Sequence, residues 1–175
     1  MKTTKYYSSR QEHTIADYLE WSVVSGSGSR AFHPGDIVSD HYLGECKTHM
    51  GERDRICCFI DVWKKISDEA TSCRKCPILF VDNGTQTVQH TWCVVPYHTI
   101  YHRTCVDAIE PSKCDHLFRV SETRVSFSSE MADNYVASLI LPDSDTVAAL
   151  RFTLGAESVV LMKLQDFRKV LMLME

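Results

Sequence analysis

The spacing Cys73-x2-Cys76, followed further along by His102-x2-Cys105, constrains this chain more than any other feature. Between the two pairs runs Pro77-Ile78-Leu79-Phe80-Val81, then Asn83-Gly84, then the β-rich stretch from Thr85 to Val95. That order predicts a strand, a tight turn and a returning strand, because Asn-Gly tolerates the positive φ of a hairpin turn. Thr104 to Glu110 is predicted to begin a helix that Pro111 ends. A Cys-x2-Cys turn can aim two thiolates into one half of a tetrahedron, and a helix N-terminus favours the thiolate of Cys105. Four Cys and His ligands would close the coordination sphere of a zinc ion, so the metal expected here is structural rather than catalytic.

The cysteine usage supports that expectation. The 175-residue chain carries eight cysteines and eight histidines. Its N-terminus, Met1 to Tyr7, is polar where a secretory leader needs an apolar run, and no apolar stretch reaches membrane-spanning length. The expectation is therefore a cytoplasmic or nuclear protein with no membrane partner, in which abundant cysteine points to metal rather than disulfides. A hydrophobic content of 44% supplies a core, and a formal net charge of -4 disfavours a nucleic-acid binder that relies on bulk positive charge. His-x-Glu, His-Glu-x2-His and Gly-x-Ser-x-Gly are all missing, which argues against zinc deaminases, zinc proteases and serine hydrolases. A cysteine hydrolase and a nucleic-acid-binding zinc finger stay as the less favoured alternatives.

Three segments are expected. Residues 1–45 form an N-terminal segment: a helix up to about Trp21 with Ile15 and Leu19 on one face and Thr14 as its cap, a Ser25-Gly26-Ser27-Gly28-Ser29 linker, and a turn at His33-Pro34-Gly35-Asp36. Residues 46–120 hold the zinc ligands, with Ile56 to Ile66 readable as strand or helix. Residues 121–175 form an α/β segment, with a strand at Val125 to Phe127 and a helix from Ser129 to Leu141. Gly155-Ala156-Glu157-Ser158 is then expected to lead into an amphipathic helix, because Val160, Leu164, Phe167 and Leu171 recur at helical spacing. Core packing is the favoured role for that helix, and self-association the alternative.

The stretch Cys93-Val-Val-Pro-Tyr97-His98-Thr99-Ile-Tyr101-His102-Arg-Thr-Cys105-Val-Asp-Ala-Ile109 resembles the centre of a RING finger of the double-histidine type. The resemblance covers about residues 73 to 119. It implies a cross-brace in which Cys73, Cys76, His102 and Cys105 share one zinc. Tyr97 and Thr99 stand where that family has a cysteine and a histidine, so a second zinc would fall to Cys93, His98, Cys114 and His116. A further metal pair is readable in Cys46-x2-His49, joined by Cys57 or Cys58. The fold implied is α+β: a small zinc-stapled treble-clef module of knuckle, β-hairpin and short helix, with α/β flanks. The function implied is a protein–protein interaction module that supports ubiquitin transfer, with Pro77, Val95, Pro96, Ile109 and Arg119 contacting a ubiquitin-conjugating enzyme. A zinc-binding adaptor or regulatory protein without ligase activity is the alternative.

Overall fold

The computed structural model describes residues 3–25, 34–100, 103, 105–139 and 145–173. It begins with helix α1 (Thr4–Leu19), which buries Gln11, Ile15, Ala16 and Leu19 along one stripe and ends on Glu20 in the left-handed region. Thr14 lies inside this helix, and Thr3 occupies the capping position. Two short strands follow, β1 (Ser22–Val23) and β2 (Ile37–Val38), then β3 (Tyr42–Lys47) and β4 (Arg55–Phe59). Helix α2 (Ile60–Ser72) leads to β5 (Cys76–Asp82), β6 (Thr91–Pro96), the single turn α3 (Tyr97–Ile100) and β7 (Val106–Ile109). After α4 (Pro111–Cys114) come β8 (Phe118–Val120), β9 (Arg124–Ser128) and α5 (Ser129–Ser138), the last capped by the Ser128 hydroxyl accepting from the Met131 amide at 3.1 Å. The described chain closes with β10 (Val147–Leu154), β11 (Glu157–Lys163) and α6 (Leu164–Met172).

An eight-stranded mixed sheet, in the order β1-β2-β3-β5-β6-β11-β10-β7, organises these elements, with a separate three-stranded sheet β4-β9-β8. Strands from all three segments read in the sequence share the larger sheet. β3 and β5 run parallel, joined by the β4–α2 crossover, and Lys47 pairs with Val81 at their C-terminal ends. Alternation along each strand feeds two cores. On one face Leu43, Leu79, Val81, Trp92 and Val94 meet Trp63, Ile66 and Ala70 of α2, with Phe127 of the smaller sheet. On the other, Ile78, Phe80, Cys93 and Val95 meet Ile15 and Leu19 of α1 and Phe167 and Val170 of α6. Each fully buried large side chain among these stabilises the fold by roughly 1.5–3 kcal/mol.

The RING-like reading and its small zinc-stapled fold are corrected by this architecture. Cys73 caps the C-terminus of α2, Arg74 takes φ 56°, and Cys76 opens an interior strand, so the Cys-x2-Cys spacing is a helix-to-strand turn. The helix expected from Thr104 to Glu110 is strand β7, paired parallel to β10, and Pro111 starts a helix instead of ending one. Among the described residues no group of three or more His, Cys, Asp or Glu side chains is placed to hold a metal ion. β5 and β6 do pair antiparallel after Asn83-Gly84, but the returning strand starts at Thr91, after a 3-10 turn at Val88–His90. Ile56 to Ile66 is both things in turn, strand β4 and then α2. The helix expected after Gly155 is delayed by a hairpin, since Leu154 pairs with Glu157 and Val160 lies in β11. Among the described residues no helix is long and apolar enough to cross a membrane.

Candidate functional site

The residues singled out by spacing are dispersed. His102 lies outside the described residues. Cys73 is exposed, whereas Cys76 and Cys105 are half-buried at the fringe of the core that faces α1. Cys93 is fully buried in that same core, while Cys114 is buried in the core on the opposite face of the sheet. His98 and His116 are exposed, the latter lying edge-on to Tyr135 at 5.5 Å. Cys46 and Cys58 face opposite cores as well; Cys57 and His49 are half-buried. All eight cysteines are free thiols. Burial pushes the Cys58 thiol up to about 12, and Cys76 and Cys114 up to about 11, so these groups are protonated at neutral pH and are poor nucleophiles.

Of the expected docking residues, Val95 and Ile109 are buried in the core and Arg119 is exposed on the smaller sheet. Pro77 and Pro96 line a cleft of about 570 Å³ together with Lys75, Cys76, Tyr97 and His98. The apolar face of α6 is spent on the core, with Leu164, Phe167 and Val170 all at or below 1% exposure.

Chemistry gathers elsewhere, at the point where β2 stops. The register pairs Ile37 with Gly44 and Val38 with Leu43, and Asp36 lies just beyond its last pair, against the Gly44 to Cys46 stretch of β3. The ladder continues there through a side chain. The Asp36 amide donates to the Gly44 carbonyl at 2.8 Å, and Asp36 Oδ2 accepts from the Cys46 amide at 2.8 Å. Glu45 and Lys47, two apart on a strand, face the same side. The Glu45 side chain is only 6% exposed, and its carboxylate meets Lys47 Nζ on one oxygen and Lys65 Nζ of α2 at 3.5 Å on the other. Glu69 completes the edge, reaching Lys65 at 3.6 Å and accepting from the Gly35 amide at 3.0 Å.

Helix α1 adds a third acid to the corner. Burial, and next the charge of Asp36, hold the Glu12 carboxyl above its ordinary range; Glu45 pushes the same way, while His13 and Lys47 oppose. The Cys46 thiol between these groups is raised chiefly by its burial and then by Asp36, Glu12 and Glu45, with Lys47 opposing. Both groups thus report one local field, negative on balance and interrupted by Lys47. Asp36 just before β2 and Glu45 on β3, with Lys47 and Lys65 on the Glu45 carboxylate, thus bring two acids and two ammonium groups to one corner, with Glu12 of α1 near enough to feel their charge.

In the sequence these residues are overshadowed by Cys46-x2-His49, whose metal-pair spacing is the more conspicuous signal. The available signal was Tyr42-Leu-Gly-Glu-Cys-Lys47, an otherwise apolar strand carrying charge at two alternate positions, preceded by the Pro34-Gly35-Asp36 turn. Comparison of the chain with family models, with curated proteins and with solved structures returns no match.

Proposed function

We propose that the chain is a divalent-cation-dependent phosphodiesterase that cuts nucleic acid at the Asp36–Glu45–Lys47 corner. The observation that carries the reading is the Asp36 carboxylate held on the Cys46 amide, between the nearly buried Glu45 and Lys47 of the same strand. Mg²⁺ is commonly held by one or two carboxylates, with waters and substrate phosphate oxygens filling its octahedron. Two protein carboxylates therefore suffice, which fits a corner where no larger ligand group converges among the described residues.

Bound there, the cation would polarise the phosphate and lower the pKa of a coordinated water. Lys47 faces the charge that develops on the phosphoryl oxygens as that water adds to phosphorus, in line with the departing alcohol oxygen. The phosphorus–oxygen bond to the leaving group breaks, the leaving oxygen gains a proton and the water loses one. Basic residues flank the acids in the chain: exposed Arg10 and His13 bracket Gln11 and Glu12 on α1, and His49 and Arg53 follow Lys47. That arrangement favours a polyanion with phosphates on either side of the cut over a small phosphate ester. The interaction-module reading was built on a zinc-stapled fold that the chain does not have, and it is not carried forward.

The test incubates end-labelled single-stranded, duplex and branched DNA with the protein in Mg²⁺, in Mn²⁺ and in EDTA. Cleavage that requires the metal is expected, with Asp36→Asn, Glu45→Gln and Lys47→Ala each slower by at least roughly 100-fold. Metal-independent cleavage, cleavage of none of the substrates, or variants as active as the wild type would overturn the proposal.

A further inference from the structure

Lys47 carries its ammonium on a flexible stem, and its side chain is 43% exposed. Its backbone, by contrast, is clamped from two sides. From α1, Gln11 Nε2 donates to the Lys47 carbonyl at 3.0 Å, and Gln11 itself is 1% exposed. At the next residue the Thr48 hydroxyl donates to Asp82 Oδ1 at 2.6 Å and accepts from Gln86 Nε2 at 2.9 Å. Asp82 ends β5 beside Thr48; it is 1% exposed and also accepts from the Gly84 amide at 2.7 Å. Gln86 is 2% exposed and sits at φ 53°, a conformation that a non-glycine residue adopts only against steric resistance.

This clamp is not an economical way to build a strand end. Gln11 Oε1 and Asp82 Oδ2 are both buried without a hydrogen-bond partner among the described residues. Unpaired buried acceptors and a left-handed glutamine each oppose folding, and here they converge on two consecutive residues of one strand. Such local penalties persist where geometry matters more than stability.

We propose that Thr48, fixed by Asp82 and Gln86, is a positioning residue that sets where Lys47 presents its ammonium to Glu45 and to the scissile phosphate, with Gln11 holding the same residue from the helix side. The assignment rests on the phosphodiesterase reading of the corner. Thr48 makes no contact with substrate. Its hydroxyl acts through the chain, by holding the exit of β3 at a fixed distance from β5.

The experiment compares Thr48→Val, which keeps the shape and removes the hydroxyl, with Thr48→Ser, which keeps the hydroxyl. Both are made in the full chain and assayed for kcat, KM for DNA and half-saturating Mg²⁺. Thr48→Val is expected to lower kcat roughly 10- to 100-fold, with KM and Mg²⁺ half-saturation changed by no more than about twofold. Thr48→Ser is expected to stay within about threefold of wild type in every parameter. Should Thr48→Val fail to fold, Gln11→Met removes the other clamp without changing bulk, and the same kcat-only loss is expected. A wild-type kcat in the variant that folds, a matching rise in KM or Mg²⁺ requirement, or a serine variant as impaired as valine would overturn the assignment. If the wild type itself shows no metal-dependent cleavage, the phosphodiesterase reading falls and takes this one with it. If the wild type and Thr48→Val cleave alike, only the positioning role is lost.

Discussion

Replacing Glu45 with glutamine separates a carboxylate kept for a ligand from one kept for the fold. A buried ion pair that serves the fold loses about 3–5 kcal/mol when one partner is removed, because the other is stranded in the interior. Here the partners are not stranded. The Lys47 and Lys65 side chains are 43% and 57% exposed, and Lys65 keeps Glu69 at 3.6 Å. Pairs so open to water contribute about 0–1 kcal/mol each, so losing both costs at most about 2 kcal/mol. Against that loss, Glu45→Gln relieves part of the cost of burying a charge. The variant is expected within about 1 kcal/mol of wild type, which in a chain of this size moves Tm by no more than roughly 4 °C. Thermal unfolding at neutral pH without divalent ions checks this. Mg²⁺ at tenfold its dissociation constant should then stabilise the wild type by about 1.4 kcal/mol, or roughly 3–6 °C, and leave Glu45→Gln unmoved. A loss of more than about 3 kcal/mol in the variant, or equal Mg²⁺ responses, would refute the reasoning and make Glu45 an anchor for two lysines.

Gly84 takes φ +93°, and a Cβ there would lie 2.1 Å from the Gly51 carbonyl oxygen, so Gly84→Ala should cost at least about 2 kcal/mol. Gly51→Ala, at φ +83° with nothing within 4 Å, should cost about half as much by the same melting measurement. Because burial and Asp36 raise the Glu12 carboxyl, the folded chain holds that proton to higher pH than the unfolded chain does, and stability falls as pH rises through this window. Glu12→Gln should therefore melt above wild type at neutral pH, with the advantage vanishing below the ordinary carboxylate range; an equal gain at both pH values would refute the assignment. Thiol labelling of the native protein should modify exposed Cys73 quickly and spare Cys46, Cys58 and Cys93 until unfolding, and early reaction of those three would contradict their burial.

Much of the local structure was legible because local chemistry decides it. Pro77 to Val81 and Val125 to Phe127 are strands, and Ser128 caps the helix that opens at Ser129. The failures have a common physical origin in segments buried on both faces. Val159 to Met162 are all at or below 1% exposure, so β11 shows no alternation, and its Val160 falls by coincidence in step with Leu164 and Phe167 of the helix that follows. The hairpin turn at Gly155, with φ +66°, was the stronger signal there. Cysteine misled for a related reason. Cys58 and Cys93 pack in strand interiors as small apolar residues, and the Cys73–Cys76 spacing reflects the length of the turn from α2 to β5. Asp36 could not be joined to the Glu45 strand without the β2–β3 pairing, which brings its carboxylate to the Cys46 amide.

Net charge argues against a nucleic-acid binder that relies on bulk positive charge, and the proposed corner would act without such a field. A formal charge of -4 treats every carboxylate as a surface group that repels phosphate. Glu12, Asp36 and Glu45 instead come near one another from a helix, a turn and a strand, and burial together with Asp36 and Glu45 raises the Glu12 carboxyl. A divalent cation held by Asp36 and Glu45 would convert those two acids from a barrier into the counter-charge of the group that receives the phosphate. Lys47 then needs no basic surface around it, since the metal supplies the local attraction and the lysine the orientation. On this argument DNA binding should depend on the divalent ion before any cleavage occurs. Ca²⁺, an oxygen-seeking cation of looser geometry, should support binding to the wild type and not to Asp36→Asn, measured by fluorescence anisotropy of labelled DNA. Equal binding in EDTA and in Ca²⁺ would mean that the phosphates are held elsewhere on the molecule.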